Sequence, residues 1–228
     1  MKLKEIHCRS LGLTVAGLLM ASFSASRAAV VLGDVIAIDF GATAPTVANW
    51  NQISSSTLSI SDLQRLSDGA LTGVGVTVTI SGTNGDYVKN AAPSVGLGST
   101  DVSIYDDHLA ANDLSGPDFI TVTYSGLDDS LSYTLTGGMA RSGNTSAFEQ
   151  TYTVDGIDYD YTGTTGVDAY AAYAGLSSSG GVLSFTVSDF SDTDLASISQ
   201  MSLTVVPEPS SAALLGLAGF VLFRRRRA

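Results

Sequence analysis

Period-two alternation of apolar and polar side chains constrains this chain more than any other feature. Short runs rich in Val, Thr, Ile and Tyr recur at Val35–Phe40, Val74–Ile80, Phe119–Tyr124, Leu131–Thr136, Thr151–Val154, Val182–Val187 and Ile198–Val205. Such runs suit a pleated, half-buried surface and resist an amphipathic helix. Gly, Asp, Asn and Ser clusters punctuate them, as at Ser81–Asp86 and Gly126–Asp129, where the backbone is free to turn. The pattern predicts an all-β chain, a single β-sandwich of about seven to nine strands. Two spans carry helical signal instead, Ser61–Asp68 and, more weakly, Asp168–Ala174. No repeat of solenoid or propeller period is visible.

Composition narrows the function. The 228 residues carry a net charge of −11, yet only 14% are charged and 44% are apolar. Disorder needs the reverse balance, so a packed core is expected. Between residues 29 and 206 the basic side chains are Arg65, Lys89 and Arg141 alone, against 20 acids, a net charge of −17. Nucleic-acid binding requires Lys and Arg on phosphates, and adhesion to anionic lipid requires the same sign, so both are excluded. Divalent cations are attracted instead.

The two ends address the chain. Lys2, Lys4 and Arg9 precede an apolar run from Leu11 to Phe23, and Ser26 and Ala28 are small residues placed for cleavage between Ala28 and Ala29. That order is a secretory signal peptide over residues 1–28, handled by the Sec export machinery. Cys8, the sole cysteine, lies before the apolar run, which argues against a lipid-modified cysteine. After cleavage no thiol is left for a disulfide, a nucleophile or a thiolate metal site. At the other end Pro207-Glu208-Pro209 leads into an apolar stretch, Ser210–Phe223, and then Arg224, Arg225, Arg226 and Arg227. As a helix that stretch would be roughly 21 Å long, short of a hydrocarbon core of about 30 Å. The arginines would halt translocation and keep the end cytoplasmic. The tail therefore reads as a temporary anchor.

This tripartite tail, residues 207–228, resembles the PEP-CTERM sorting signal of exported bacterial proteins. The resemblance implies recognition by a membrane-embedded exosortase, cleavage near Pro207-Glu208-Pro209, and release or attachment at the cell surface, among producers of extracellular polysaccharide. Residues 29–206 in turn resemble the galactose-binding-domain-like jelly-roll modules of secreted proteins. The matching pieces are Ile38-Asp39-Phe40-Gly41 with Asn49-Trp50-Asn51, Leu66–Val74, Ile120–Asp128 running into Ser132–Leu135, Thr151–Gly156, and final strands near Leu183 and Leu203. The resemblance implies a jelly-roll-like sandwich between an N-terminal signal helix and a short C-terminal hydrophobic helix. It also implies carbohydrate binding, in some cases ancillary to glycoside-active enzymes.

Residue chemistry gives little support to catalysis. His108 is the one histidine left after export, within Asp106-Asp107-His108-Leu109, and no Gly-x-Ser-x-Gly turn exists to present a serine. It is expected to be a solvated loop residue. Scattered Asp carboxylates leave glycan hydrolysis as an alternative, but no catalytic residue is assigned. Glu149, the only glutamate between residues 29 and 206, opens an expected strand. Calcium is the metal the sequence suits, at Asp155, Asp158 and Asp160, with a second acidic crowd at Asp106, Asp107, Asp113 and Asp118. Neither has EF-hand spacing, and solvated acidic turns, ordinary at sandwich ends, are the stronger competing reading. Zinc would need several histidines or cysteines, and after export His108 is the only one left.

Trp50 between Asn49 and Asn51 has the aromatic and planar polar groups a sugar site uses. Tyr159, Tyr161, Tyr170 and Tyr173 add aromatics in expected loop regions. Core packing is the competing role for Trp50. Asn144-Thr145-Ser146 fits a glycosylation sequon, a coincidence in a bacterial-type secretion setting. The expectation is an exported, non-catalytic surface or matrix protein with polysaccharide as partner. A secreted hydrolase and a purely structural surface protein are the alternatives.

Overall fold

The computed structural model describes residues 29–81, 83–88, 107–112, 118–139, 148–154, 156–163, 169–189 and 196–207. The expected signal helix and C-terminal hydrophobic helix lie outside these residues. The strands are β1 (Val35–Phe40), β2 (Asn51–Ile53), β3 (Ser59–Ile60), β4 (Gly75–Ile80), β5 (Thr83–Val88), β6 (Asp107–Asn112) and β7 (Phe119–Ser125). They continue with β8 (Ser132–Met139), β9 (Phe148–Val154), β10 (Ile157–Gly163), β11 (Ala169–Ser177), β12 (Val182–Asp189), β13 (Ala196–Ile198) and β14 (Gln200–Val206).

Two large sheets form an all-β, jelly-roll-like sandwich. One has the order β11-β8-β14-β1-β2, the other β10-β9-β12-β7-β4-β3, and a small third sheet is β13-β6-β5. The chain crosses repeatedly between them: β7 lies in the six-stranded sheet, β8 in the five-stranded one, β9 and β10 back in the first, β11 in the second. Pairing is antiparallel throughout, apart from parallel β1 and β2.

Alternation dictates which side of each strand is covered. Val76 and Val78 on β4, Ile120, Val122 and Tyr124 on β7, and Leu183, Phe185 and Val187 on β12 all point inward. Ile36, Ile38 and Phe40 on β1, Tyr133 and Leu135 on β8, and Met201, Leu203 and Val205 on β14 meet them from the opposite sheet. Each fully covered Ile, Leu or Phe contributes about 1.5–3 kcal/mol of apolar burial. Phe185 ties the layers together, its ring 5.5 Å from Tyr152 of the same sheet and 6.0 Å from Tyr173 of the other.

Two sequence expectations are corrected. Ser61–Asp68 is not helical: its backbone bonds go to the returning segment, with Leu63 N donating to Val74 O and Thr72 N to Leu63 O. Asp168–Ala174 was the weaker helical span, yet Ala169–Ser177 is β11, paired with β8 across a bulge between Tyr173 and Leu176. Alanine favours a helix in isolation, but an edge position beside an existing sheet overrides that preference. Strands also outnumber the expected seven to nine. The surplus is either very short, as β2, β3 and β13, or polar and pattern-poor, as β5 and β6.

Candidate functional site

Asn49, Trp50 and Asn51 lead into β2. Asn49 has φ of +66°, a conformation Asn tolerates better than most residues, and its Nδ2 donates to Leu66 O. Asn51 is buried. Its Nδ2 donates to Ala37 O at 2.9 Å and Gln64 O at 3.0 Å, while its Oδ1 accepts from Gln64 N at 2.8 Å. Both amide protons are thus spent on main chain, and Asn51 acts as a clamp between β1 and the 61–68 loop. Trp50 is half-buried.

The acids are held locally. Asp62 accepts from Gly73 N, Asp68 from Ala70 N, and buried Asp107 from Thr43 N. A Cβ on Gly41 would lie 2.1 Å from the Asp107 carboxyl, so that approach requires glycine. Asp128 accepts from the Ser130 hydroxyl and the Ser130 N–H, which hold its pKa below the usual range. Asp129 is lowered likewise, first by the Ser178 hydroxyl at 2.6 Å and then by Gly181 N at 2.8 Å. Beside them the Tyr133 hydroxyl accepts from Asp128 N and donates to Asp128 O, pinning the turn before β8. Burial raises its pKa.

His108 departs from expectation. It lies on β6 and is 1% exposed, because the third sheet folds over the core and carries Asp107-His108-Leu109 with it. Of the calcium candidates, Asp155 lies outside the described residues. Asp158 is exposed on β10, accepting from the Thr153 hydroxyl at 2.7 Å, and Asp160 follows two positions along the same strand. Among the described residues no group of three or more acidic, His or Cys side chains is arranged to hold a metal.

The outer face of the six-stranded sheet is built of hydroxyls. In register across four strands stand Thr153, Thr186, Thr121 and Thr79, and a second row runs Ser184, Thr123, Thr77 and Ser59. Thr121 and Thr186 are hydrogen-bonded at 2.9 Å, Thr123 and Ser184 at 3.2 Å. One end of these rows opens into a cavity of about 410 Å³ lined by Thr153, Ser177, Ser179, Val182, Ser184 and Thr186, among others.

Both ends of the described chain leave the sandwich at one pole. β14 lies between β8 and β1, with Val206 opposite Ser132. Gly33 N donates to Val205 O and Val205 N to Asp34 O, so residues 31–34 run beside the end of β14. Asp34 accepts from Val31 N at 2.8 Å and pairs with Arg65 at 3.1 Å, which fastens this pole. Val31 and Leu32 stay 53% and 56% exposed there. Pro207 follows the last paired residue directly, and its tail matches a family model over residues 205–227. The chain carries a PEP-CTERM protein-sorting motif.

A PEP-CTERM motif marks an exported protein, and here it begins while the chain is still in β14. Among the described residues no helix is long and apolar enough to cross a membrane. Glu208, Pro209 and the arginines lie beyond them.

No curated protein matches the sequence significantly. Solved structures similar to the chain include protein YXIM of Bacillus subtilis, at 15% identity and a TM-score of 0.42, covering 77% of this chain and 41% of that one. The CBM35 module of Cellvibrio japonicus Abf62 is similar at 17% identity and a TM-score of 0.32, over 58% of this chain and 97% of that one. Carbohydrate-binding module CBM36, determined in complex with calcium and xylotriose, is similar at 14% identity and 0.32, over 56% and 93%.

The PEP-CTERM tail was legible in sequence because its order and spacing are linear. The hydroxyl face was not singled out, although its signal was present. It is the outward half of the same alternation that marks the core, Thr121 and Thr123 between Ile120, Val122 and Tyr124.

Proposed function

We propose that the protein is a non-catalytic component of the cell surface or extracellular matrix, sorted by an exosortase and associated with extracellular polysaccharide. The observation that carries this reading is the PEP-CTERM motif at residues 205–227, joined without a spacer to the central strand of a sandwich. β14 is paired on both sides up to its last residues. The sandwich therefore folds to completion only once β14 has been exported, and the motif is what remains to be processed. The tail anchors the chain in the inner membrane until cleavage near Pro207–Pro209.

Polysaccharide is the partner this destination and the acidic, nucleophile-poor core favour. A net charge of −17 between residues 29 and 206 keeps the exported domain soluble and away from anionic lipid. Calcium is a secondary element of the reading, assigned to Asp155, Asp158 and Asp160.

Mass spectrometry of the protein recovered from producing cells tests the sorting. Termini near Ala29 and Pro207 are expected; an intact Arg224–Arg227 end on the stable surface form would refute processing. Retention on a panel of polysaccharides, with calcium and then with chelator, tests the partner. Retention lost in chelator and in Asp158→Asn would assign an ion to that run. A protein that no polysaccharide retains would leave a structural surface role.

A further inference from the structure

We infer that the hydroxyl-lined cavity on the outer face of the six-stranded sheet binds a segment of an uncharged polysaccharide. This inference rests on the polysaccharide reading above and gives it a place and a ligand class. The cavity, about 410 Å³, falls in the range of pockets that hold small ligands, about 300–1,000 Å³. Its walls come from different parts of the fold: Thr153 from β9, Ser184 and Thr186 from β12, and Ser177 and Ser179 from the end of β11 and the turn after it.

Among the described residues that line it, none is charged. A ligand entering therefore gives up little ion hydration, and a carboxylated or sulfated one finds no cation to pair with. The surrounding charge of −17 over residues 29–206 repels such a polymer further.

What the walls offer is hydroxyl groups, each able to donate once and accept twice. Thr153 has its proton committed to Asp158 at 2.7 Å, so toward the cavity it is an acceptor. Ser184 shares a hydrogen bond with Thr123, and Thr186 with Thr121, in either sense. Those pairs can reverse to suit a ligand hydroxyl as donor or acceptor. Val182, 41% exposed, adds an apolar patch suited to the C–H face of a sugar ring. Beyond the cavity the two hydroxyl rows continue to Thr79 and Thr77, in register and exposed. A polymer seated in the cavity thus has a further uncharged, hydrogen-bonding track to follow.

The test uses the full-length chain in detergent with neutral glucans and galactans against a polyuronate, affinities read by titration calorimetry. Ser184→Trp fills the cavity from an exposed strand position, and Ser184→Ala with Thr186→Val removes two hydroxyls with little change of shape. Thr136→Val, on the outer face of the other sheet, serves as the control, and thermal melts confirm that each variant is folded. Wild type should bind a neutral polymer, Ser184→Trp should bind it roughly tenfold or more weakly, and the double variant several-fold more weakly. Thr136→Val should match wild type.

Equal affinity for wild type and Ser184→Trp would overturn the site and leave the polysaccharide reading intact. Preference for the polyuronate would overturn the uncharged class. A wild-type protein that binds no polysaccharide would overturn the proposed partner, and this site with it.

Discussion

Asp34 and Asp129 both hold a loop against the end of a strand, and they do so with different partners. Asp34 is 7% exposed, and it is matched by a guanidinium from Arg65, 31 residues away in sequence. Asp129 is exposed, and a serine hydroxyl and main-chain N–H groups hold it where a guanidinium holds Asp34. The difference follows from scarcity. With three basic residues between positions 29 and 206, cations are scarce. Arg65 serves both buried Asp34 and, at 3.4 Å, exposed Asp68, whereas Asp128 and Asp129 are anchored by N–H and O–H donors. A buried charge without its partner is costly, whereas an exposed one keeps its water.

Removing the cation should have the largest effect. Arg65→Met leaves Val31 N as the one donor to the Asp34 side chain among the described residues, and it also removes the exposed Asp68 pair. It is expected to cost about 2–3 kcal/mol, somewhat less than a fully buried pair because both Arg65 and Asp34 keep some water. Urea denaturation checks this. Asp34→Asn combined with Arg65→Met should recover part of the loss, and failure to recover any would mean that Arg65 acts by packing.

Tyr133→Phe comes next, since it deletes the two bonds that pin the Asp128 turn. The expected cost is about 1–2 kcal/mol, measured the same way.

Asp129→Asn should cost less at neutral pH, and its signature is the pH dependence. The folded pKa of Asp129 lies below its ordinary value. Its stabilisation is therefore fully present above the unfolded pKa of about 3.9 and is lost as pH falls through the lower folded value. Melting temperatures of wild type and variant should differ at pH 7 and converge below about pH 4. Persistence of the gap in acid would show that the carboxylate charge is not what holds this corner.

Tyr124→Phe should be the smallest effect. The Tyr124 hydroxyl is fully buried without a hydrogen-bond partner among the described residues, and burial raises its pKa. Its loss should change stability by no more than about 0.5 kcal/mol, in either direction. A large loss would reveal an acceptor, and would make Tyr124 comparable with Tyr133.

Much of the fold could be read from single strands. Ile120-Thr121-Val122-Thr123-Tyr124 announces both its buried and its exposed face, and the structure keeps that division. His108 could not be placed this way: Asp-His-Leu-Ala-Ala-Asn has neither alternation nor strong strand propensity. It becomes β6 through pairing with β5 and β13. Ser61–Asp68 misled for a related reason: most of its backbone bonds leave the span, from Leu63 to Val74 and Thr72, from Arg65 to Ala70, and from Leu66 to distant Val35. At the candidate site, Thr153, Ser184 and Thr186 were each readable as outward strand positions, but the cavity they share was not.

Sequence by itself determined the all-β class, the inward and outward faces, the net acidity, and the linear sorting motif at residues 205–227. Each depends on residues within a few positions of one another, where spacing equals geometry. Tertiary structure alone decided that Arg65 neutralises Asp34, that Asn51 clamps main chain, that His108 is buried, and that β9, β11 and β12 enclose one cavity. Those depend on which strands become neighbours. That choice is set by burying the inward faces of all strands at once, and no local pattern encodes it.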